Sequence, residues 1–201
     1  MPGPMNDQSR VPSSNAISSG GWLKTYYYLR FAVSAAWVVA AFTVAKSSPP
    51  LAATMLVAYP AWDALANYVD AQRTGGLSRN MSQLLNFVVS IVAAIAIAVA
   101  LGRGMNAVLS VYGVWAVVAG ALQLLTAARR WKTNGAQWAM ILSGAQSALA
   151  GLFFVKMAGG TESVGIANIA PYAAFGAFYF LVSALWLSVS DARRKSTRAV
   201  S

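Results

Sequence analysis

Residues 59–70 have the sequence YPAWDALANYVD and lie inside a long apolar run. On an α-helix the polar members of this segment fall on one face, because they are spaced by four, four and three residues; they are Tyr59, Asp63, Asn67 and Asp70. Asp63 lies well within the apolar run, and an isolated ionised side chain at bilayer depth costs roughly 2.5 to 3.5 kcal/mol. Asp63 therefore needs a partner or has a function.

The amino-acid composition is typical of an integral membrane protein. Hydrophobic residues make up 58% of the 201 residues and charged residues 10%, whereas charged residues approach about a quarter of a soluble domain. The chain has no Cys and no His, which removes disulfides, thiolate ligands, the commonest metal ligand and the commonest general base. We therefore expect no metal, no cofactor and no enzymatic activity.

The chain contains six apolar runs, each close to the roughly 20 residues that a helix needs to cross a bilayer; they are residues 26–45, 51–70, 83–101, 105–127, 137–157 and 166–188. Short links rich in Pro, Gly or Ser follow the first, third and fifth runs and are typical of turns. The sequence thus predicts an all-α polytopic bundle of six transmembrane helices built as three helical hairpins. We expect a flexible cytoplasmic tail at 1–23, a transmembrane domain at 24–190 and a basic cytoplasmic tail at 191–201.

The basic residues predict the orientation. Lys and Arg collect on cytoplasmic loops, and twelve of the fifteen lie on the side of the two tails, whereas Lys46, Arg103 and Lys156 lie on the other side. Both termini are therefore expected in the cytoplasm. The net charge of +10 is explained by this topology and does not indicate nucleic acid binding. We expect the basic loops to contact anionic lipids.

Short motifs recur along the chain. The odd runs contain FAVS at 31–34, FVVS at 87–90 and GAQS at 144–147, and the even runs end with DAQR at 70–73, AARR at 127–130 and DARR at 191–194. This pattern favours one helical hairpin used three times, with any pseudo-symmetry axis along the membrane normal. Chance similarity between stretches of low-complexity membrane sequence is the alternative.

The polar stripe of residues 59–70 has a candidate partner in the first run. Folding the first hairpin about Pro49 places Arg30 about level with Asn67, so we predict an ion pair between Arg30 and either Asp63 or Asp70. Two interpretations are open. The pair fixes the register of two helices, or Asp63 binds a proton or a cation in a polar cavity that includes Tyr59.

Further polar side chains occur on other runs: Gln83, Asn86 and Ser90 on the third, Gln123 on the fourth, and Ser143, Gln146 and Ser147 on the fifth. They predict either a polar path between hairpins or hydrogen bonds between helices. Small residues form a face on the fourth and fifth runs, which predicts close packing within the bundle or between subunits. Pro60 predicts a kink, or a freed carbonyl that meets a ligand.

Three Gly-spaced or basic segments resemble HdeD-type acid-resistance membrane proteins: YGVWAVVAG at 112–120, LLTAARR at 124–130 and LSGAQSALAG at 142–151. The resemblance extends over residues 26–195 and implies a six-helix bacterial inner-membrane protein associated with survival at low pH. It carries no catalytic or binding residues, and residues 59–63 lie outside the general family pattern. We expect a non-enzymatic stress protein that acts through its bundle, as a homo-oligomer or with a membrane-protein partner. The alternative is a small channel or proton-coupled carrier that uses Asp63 and Arg30.

Overall fold

The computed structural model describes residues 14–130 and 137–200, which form six long helices. These are α1 (Ser14–Thr43), α2 (Pro49–Arg73), α3 (Met81–Leu101), α4 (Met105–Arg130), α5 (Gln137–Ala158) and α6 (Ile166–Val200). Two single-turn 3₁₀ helices, Ala45–Ser47 and Leu77–Arg79, lie in the connections. Within the described residues the protein is all-helical, as predicted.

The helix ends follow from proline and glycine. Helix α2 begins with Pro49 and Pro50, and proline suits the first turn because its missing N–H would have no helical partner there. Gly75 and Gly76 have φ of 105° and 91° in the turn after α2, and Gly104 has φ of 100° before α4. Side chains are disfavoured at such angles, so glycine permits the chain to reverse at both places.

Two helices extend far beyond the apolar runs that predicted them. Helix α1 begins at Ser14, inside the predicted tail 1–23, and α6 continues to Val200, through most of the predicted tail 191–201. Neither extension contains proline, so nothing local ends the helix where the apolar run ends. Hydropathy locates the apolar part of a helix and not its last turn. The rest of the two predicted tails, residues 1–13 and 201, lies outside the described residues.

The six helices form a ring in which each helix contacts the next one and α6 contacts α1. The closest packing is between α4 and α5, α1 and α6, and α2 and α3, whereas α1 and α2, and α5 and α6, contact each other at few positions. The closest pairs therefore join the end of one predicted hairpin to the start of the next. The packing does not confirm hairpins as compact units, and it places all six helices around one axis.

We call one end of the ring the turn end, since it carries the connections at 44–48, 102–104 and 159–165, and the other the tail end. Four helical segments are long and apolar enough to cross a membrane: Met81–Leu101, Met105–Ala128, Ile141–Ala158 and Ile166–Arg193. These four indicate a membrane protein. In the described residues, α1 and α2 do not meet the same hydropathy criterion, because they carry Arg30, Asp63, Asn67 and Asp70.

Helices α4 and α5 approach each other through glycines. A Cβ added to Gly151 would lie 2.4 Å from the Gly113 carbonyl oxygen, and one added to Gly120 would lie 2.5 Å from the Gly144 carbonyl oxygen. Real Cβ atoms do not approach other atoms so closely, so backbone meets backbone at both crossings. The small faces predicted on these helices therefore pack on each other inside one chain.

Candidate functional site

The predicted ion pair joins α1 to α2. An Arg30 Nη2 N–H donates to Asp63 Oδ1, and the two side chains are 12% and 21% exposed. Asp63 and Asp70 were the two predicted partners of Arg30, and Arg30 pairs with Asp63. The charges thus offset one another inside the two described helices that do not meet the hydropathy criterion for a membrane span.

The second oxygen of Asp63 connects the pair to α3 and α4. Asp63 Oδ2 accepts hydrogen bonds from Asn67 Nδ2 at 3.0 Å and from Ser90 Oγ at 2.8 Å. Ser90 in turn accepts a hydrogen bond from Trp115 Nε1 at 3.1 Å. Ser90 is 1% exposed, so the carboxylate is held by a buried chain of donors that reaches the fourth helix.

Aromatic rings hold the guanidinium of Arg30. An Nη1 N–H donates to the Tyr26 hydroxyl at 3.0 Å, and Arg30 Cζ lies 4.3 Å from the centroid of the Phe180 ring on α6. A cation over an aromatic face gains about 0.5 to 2 kcal/mol, depending on its exposure to water. Arg30 is therefore fixed from its own helix, from α2 and from α6.

Asp70 belongs to a different contact. Gln83 on α3 donates from Nε2 to Asp70 Oδ2 at 3.2 Å, near the tail end of the ring. Asp70 and Gln83, both predicted as site residues, therefore pair with each other. Neither is among the residues that line the cavity described next.

A cavity of about 190 Å³ lies inside the ring beside the ion pair. Every helix contributes to its wall, with Arg30 from α1; Tyr59, Asp63 and Asn67 from α2; Asn86 from α3; Trp115, Ala119 and Gln123 from α4; Ser143, Gln146 and Ser147 from α5; and Tyr172, Phe175, Gly176, Tyr179 and Phe180 from α6. At about 30 Å³ for each water, the cavity has room for about six water molecules.

The structure thus brings most of the predicted polar residues to one place. Asn86, Gln123 and Gln146 line the cavity together with the ion pair. Some of these groups also bond between helices: Gln123 Nε2 donates to Ser143 Oγ at 3.4 Å, and the Tyr179 hydroxyl donates to Gln146 Oε1 at 2.9 Å. The predicted hydrogen bonds between helices are therefore present, whereas the polar path between hairpins stays a prediction. What the cavity does remains a prediction.

An aromatic layer closes the cavity toward the turn end. It consists of Trp37, Tyr59, Tyr112, Trp115, Phe154 and Tyr172, whose rings make successive contacts with centroid distances of 4.9 to 6.3 Å. Fully buried aliphatic side chains lie beyond it, among them Leu56, Ile97, Val108, Leu109 and Ile169. The turn-end half of the ring is therefore a packed apolar core, and the polar space lies in the other half.

Pro60 leaves one backbone carbonyl without its helical donor, but another helix supplies a replacement donor. Proline lacks the N–H that would bond the carbonyl four residues earlier, at Leu56. The hydroxyl of Tyr112 donates to that Leu56 oxygen at 2.6 Å. Because α4 supplies this donor, the carbonyl is already satisfied within the fold.

Among the site residues that the sequence analysis missed, three contact the ion pair or its hydrogen-bond donors. Tyr26 precedes Arg30 by four residues, a spacing that places both on one helix face and could have indicated the contact. Trp115 and Phe180 reach the pair from α4 and α6, and no local pattern links them to Arg30 or Asp63. In residues 14–130 and 137–200 no group of three or more His, Cys, Asp or Glu side chains is placed to hold a metal ion.

Comparison with known proteins gives one partial match. Residues 88–156 match the profile of a family described as "Short repeat of unknown function (DUF308)", a family that includes HdeD-like membrane proteins. No curated protein and no solved structure matches the chain. The matched segment contains most of α3, all of α4 and most of α5, including the glycine contacts between α4 and α5. This part of the chain is similar to a short membrane repeat of unknown function.

Proposed function

We propose that the protein is a non-enzymatic bacterial inner-membrane protein of the acid- or stress-resistance type, with six membrane-spanning helices and both termini in the cytoplasm. The observation that carries this proposal is the polar cavity at the centre of the ring, lined by all six helices around an offset pair of charges. The similarity of residues 88–156 to a repeat family that includes HdeD-like proteins supports the stress role.

The bonding of Asp63 supports a binding role over a catalytic one. A general base must be able to take a proton from a substrate within hydrogen-bond reach. Both oxygens of Asp63 already accept hydrogen bonds from Arg30, Asn67 and Ser90. The carboxylate is therefore committed to the fold, and the amides and hydroxyls of the cavity are left to meet a ligand.

Acid survival tests this proposal. Cells lacking the protein are complemented with wild type, with the double variant Arg30→Gln/Asp63→Asn, or with Asp191→Asn as a surface control, and surviving colonies are counted after acid shock. We expect wild type and Asp191→Asn to protect and the double variant to fail at equal membrane expression. Equal survival with and without the wild-type protein would contradict the stress role.

A proton-coupled carrier is the second candidate, because Asp63 is an ionisable side chain in the wall of the cavity. The aromatic layer and the aliphatic core behind it favour a carrier over an open channel, since they close the path to the turn end. Proton flux into proteoliposomes under an imposed pH gradient separates the candidates. Flux that is present in wild type and absent in the Arg30→Gln/Asp63→Asn protein would favour the carrier, and flux equal to that of empty liposomes would exclude it.

We further propose that the tail end contacts anionic lipid headgroups through its Lys and Arg residues, each contributing about 1 kcal/mol.

Association with another copy or with a membrane-protein partner would use the outer, lipid-facing surface, since the glycine faces of α4 and α5 are already occupied by each other. Neither proposal involves nucleic acid. Liposome co-sedimentation with and without anionic lipid tests the first, and mass photometry in nanodiscs tests the second.

A further inference from the structure

The α5–α6 seam, formed by residues 142–153 of α5 and 172–186 of α6, is one of the two loosely packed walls beside the cavity. Helices α5 and α6 pack far less extensively than the neighbouring pairs α4–α5 and α1–α6. Other boundaries are tied across the tail-end half: Lys24 contacts Asp191 at 3.4 Å, Gln83 bonds to Asp70 at 3.2 Å, and Ser82 bonds to Thr126 at 3.2 Å. The ion pair ties α1 to α2.

The cavity reaches the surface at this seam. Phe175 lines the cavity and is also 54% exposed, so its side chain lies at an opening between α5 and α6. Across from it, Leu149 is 67% exposed and lies one helical turn from Gln146, a cavity residue. If all six helices span the membrane, this opening faces the hydrocarbon and not the water at either end.

One hydrogen bond crosses the seam at the level of the cavity, from the Tyr179 hydroxyl to Gln146 Oε1 at 2.9 Å. Nearer the turn end, the rings of Phe154 and Tyr172 close the seam in an edge contact at 6.0 Å. The opening is therefore bounded by an aromatic contact on one side and, at the level of the cavity, by a polar contact that a competing hydroxyl can replace.

The wall of the cavity defines the ligand it fits. Arg30 and Asp63 cancel each other's charge, and the remaining polar groups are amides and hydroxyls, which bind uncharged donors and acceptors. The volume of about 190 Å³ is below the roughly 300 to 1,000 Å³ of pockets for drug-sized molecules. A small polar head fits inside, and anything attached to it must leave through the seam.

We propose that the cavity binds the uncharged head of a single-chain amphipathic lipid, which enters from the bilayer between α5 and α6 and leaves its acyl chain along Leu149 and Phe175. This inference rests on the proposed function in taking the cavity as the functional site and α5 and α6 as membrane-spanning. The head displaces the Tyr179–Gln146 hydrogen bond and meets the amides of Asn86 and Gln123.

Photolabelling of the full chain in liposomes tests the inference. The probe is a monoacylglycerol with a diazirine on its acyl chain close to the ester, and labelled residues are mapped by mass spectrometry. We expect labelling at the α5–α6 seam that falls several-fold with excess monoolein and little with lysophosphatidylglycerol, whose head is charged. Even labelling of all lipid-facing helices that excess monoolein leaves unchanged would overturn the inference.

Two variants and a control sharpen the result. Gln123→Leu removes an amide that the head meets and should lower the competable labelling several-fold, whereas Tyr179→Phe removes the bond across the seam and should raise it. Val99→Leu, at a position 61% exposed on α3, should leave it unchanged. Competable labelling at another boundary, or equal labelling in all four proteins, would contradict the proposal.

The outcomes also separate this inference from the proposed function. Acid survival that depends on the ion pair, without competable labelling, would mean that the lipid inference fails while the stress role stands. Competable labelling at the seam without any acid phenotype would leave the lipid site standing and refute the stress role.

Discussion

At the scale of single residues, Asp63 shows how a charge is kept within an apolar helix. Its partner Arg30 comes from α1, and its two neutral donors, Asn67 and Ser90, come from α2 and α3. Removing one member of a buried pair leaves an uncompensated charge, which costs on the order of 3 kcal/mol, whereas removing both costs much less. The contribution of the pair therefore has to be measured with single and double variants of Arg30 and Asp63.

We predict that Asp63→Asn lowers the melting temperature of the detergent-purified protein strongly, because Arg30 is then buried without a counter-charge. The double variant Arg30→Gln/Asp63→Asn should melt closer to wild type than Asp63→Asn does. Differential scanning fluorimetry measures the melting temperatures of wild type, Arg30→Gln, Asp63→Asn and the double variant. If the double variant is less stable than Asp63→Asn by the full effect of Arg30→Gln, the two charges are not coupled.

Asp191→Asn provides the matched control. The Lys24–Asp191 contact has the same chemistry, but its side chains are 35% and 34% exposed. Exposed pairs contribute about 0 to 1 kcal/mol, so this variant should melt almost as wild type does. A large loss in Asp191→Asn would mean that the effect of Asp63→Asn reflects lost carboxylates in general and not burial.

The sequence predicted the ion pair but not the choice between its two candidate carboxylates. Helical rise sets the level of Arg30 against α2, and this level lies between Asp63 and Asp70. The choice depends on how α2 is rotated and on what α3 offers, since Gln83 bonds to Asp70 while Ser90 bonds to Asp63. Such rotations are set by packing between distant segments, which spacing along one helix does not contain.

At the scale of helices, α2 tolerates Pro60 because α4 supplies the missing donor. A buried carbonyl without a partner costs about 1 to 3 kcal/mol, and Tyr112 removes that cost at Leu56. We predict that Tyr112→Phe destabilises the wild-type chain by about 1 kcal/mol but has little effect in a Pro60→Ala background, where the backbone N–H of residue 60 bonds Leu56 again. Unfolding in mixed micelles measures this cycle, and equal losses in both backgrounds would contradict it.

The α4–α5 contact requires glycine, because a methyl group would meet backbone atoms. We predict that Gly151→Ala and Gly120→Ala each destabilise the protein by about 1 to 3 kcal/mol, the usual cost of overpacking. Gly165→Ala is the control, since a Cβ there meets nothing within 4 Å. Thermal unfolding of the three variants measures these losses. A Gly151→Ala protein as stable as Gly165→Ala would mean that α4 and α5 lie farther apart than in the structure.

The starts of α4 and α6 could be predicted to the residue, because each follows a Gly-containing link. The start of α1 and the end of α6 could not, since no proline interrupts either helix where its apolar run stops. The sequence also did not predict which helices pack most closely around the ring. Apolar side chains face lipid as well as neighbouring helices, so a hydrophobic pattern in a membrane helix does not identify its partners.

At the scale of the whole molecule, the closed ring and the hydropathy of its helices lead to different numbers of membrane spans. Four helices are apolar enough to span, whereas α1 and α2 fall short. Yet α1 packs closely on α6 and α2 on α3, and their charges are paired inside the ring. Since an offset pair costs far less to insert than two isolated charges, we infer that α1 and α2 cross with the other four.

Single cysteines test this prediction, because the chain has no native Cys. Ser47→Cys lies in the turn between α1 and α2, Ser163→Cys in the turn between α5 and α6, and Thr74→Cys at the tail end. A membrane-impermeant maleimide added to intact cells should label Ser47→Cys and Ser163→Cys, and should label Thr74→Cys only after permeabilisation. Labelling of Ser163→Cys without Ser47→Cys would limit the spans to four, and labelling of Thr74→Cys alone would reverse the orientation. Six spans require that both turns react alike, since in the ring both lie at the turn end.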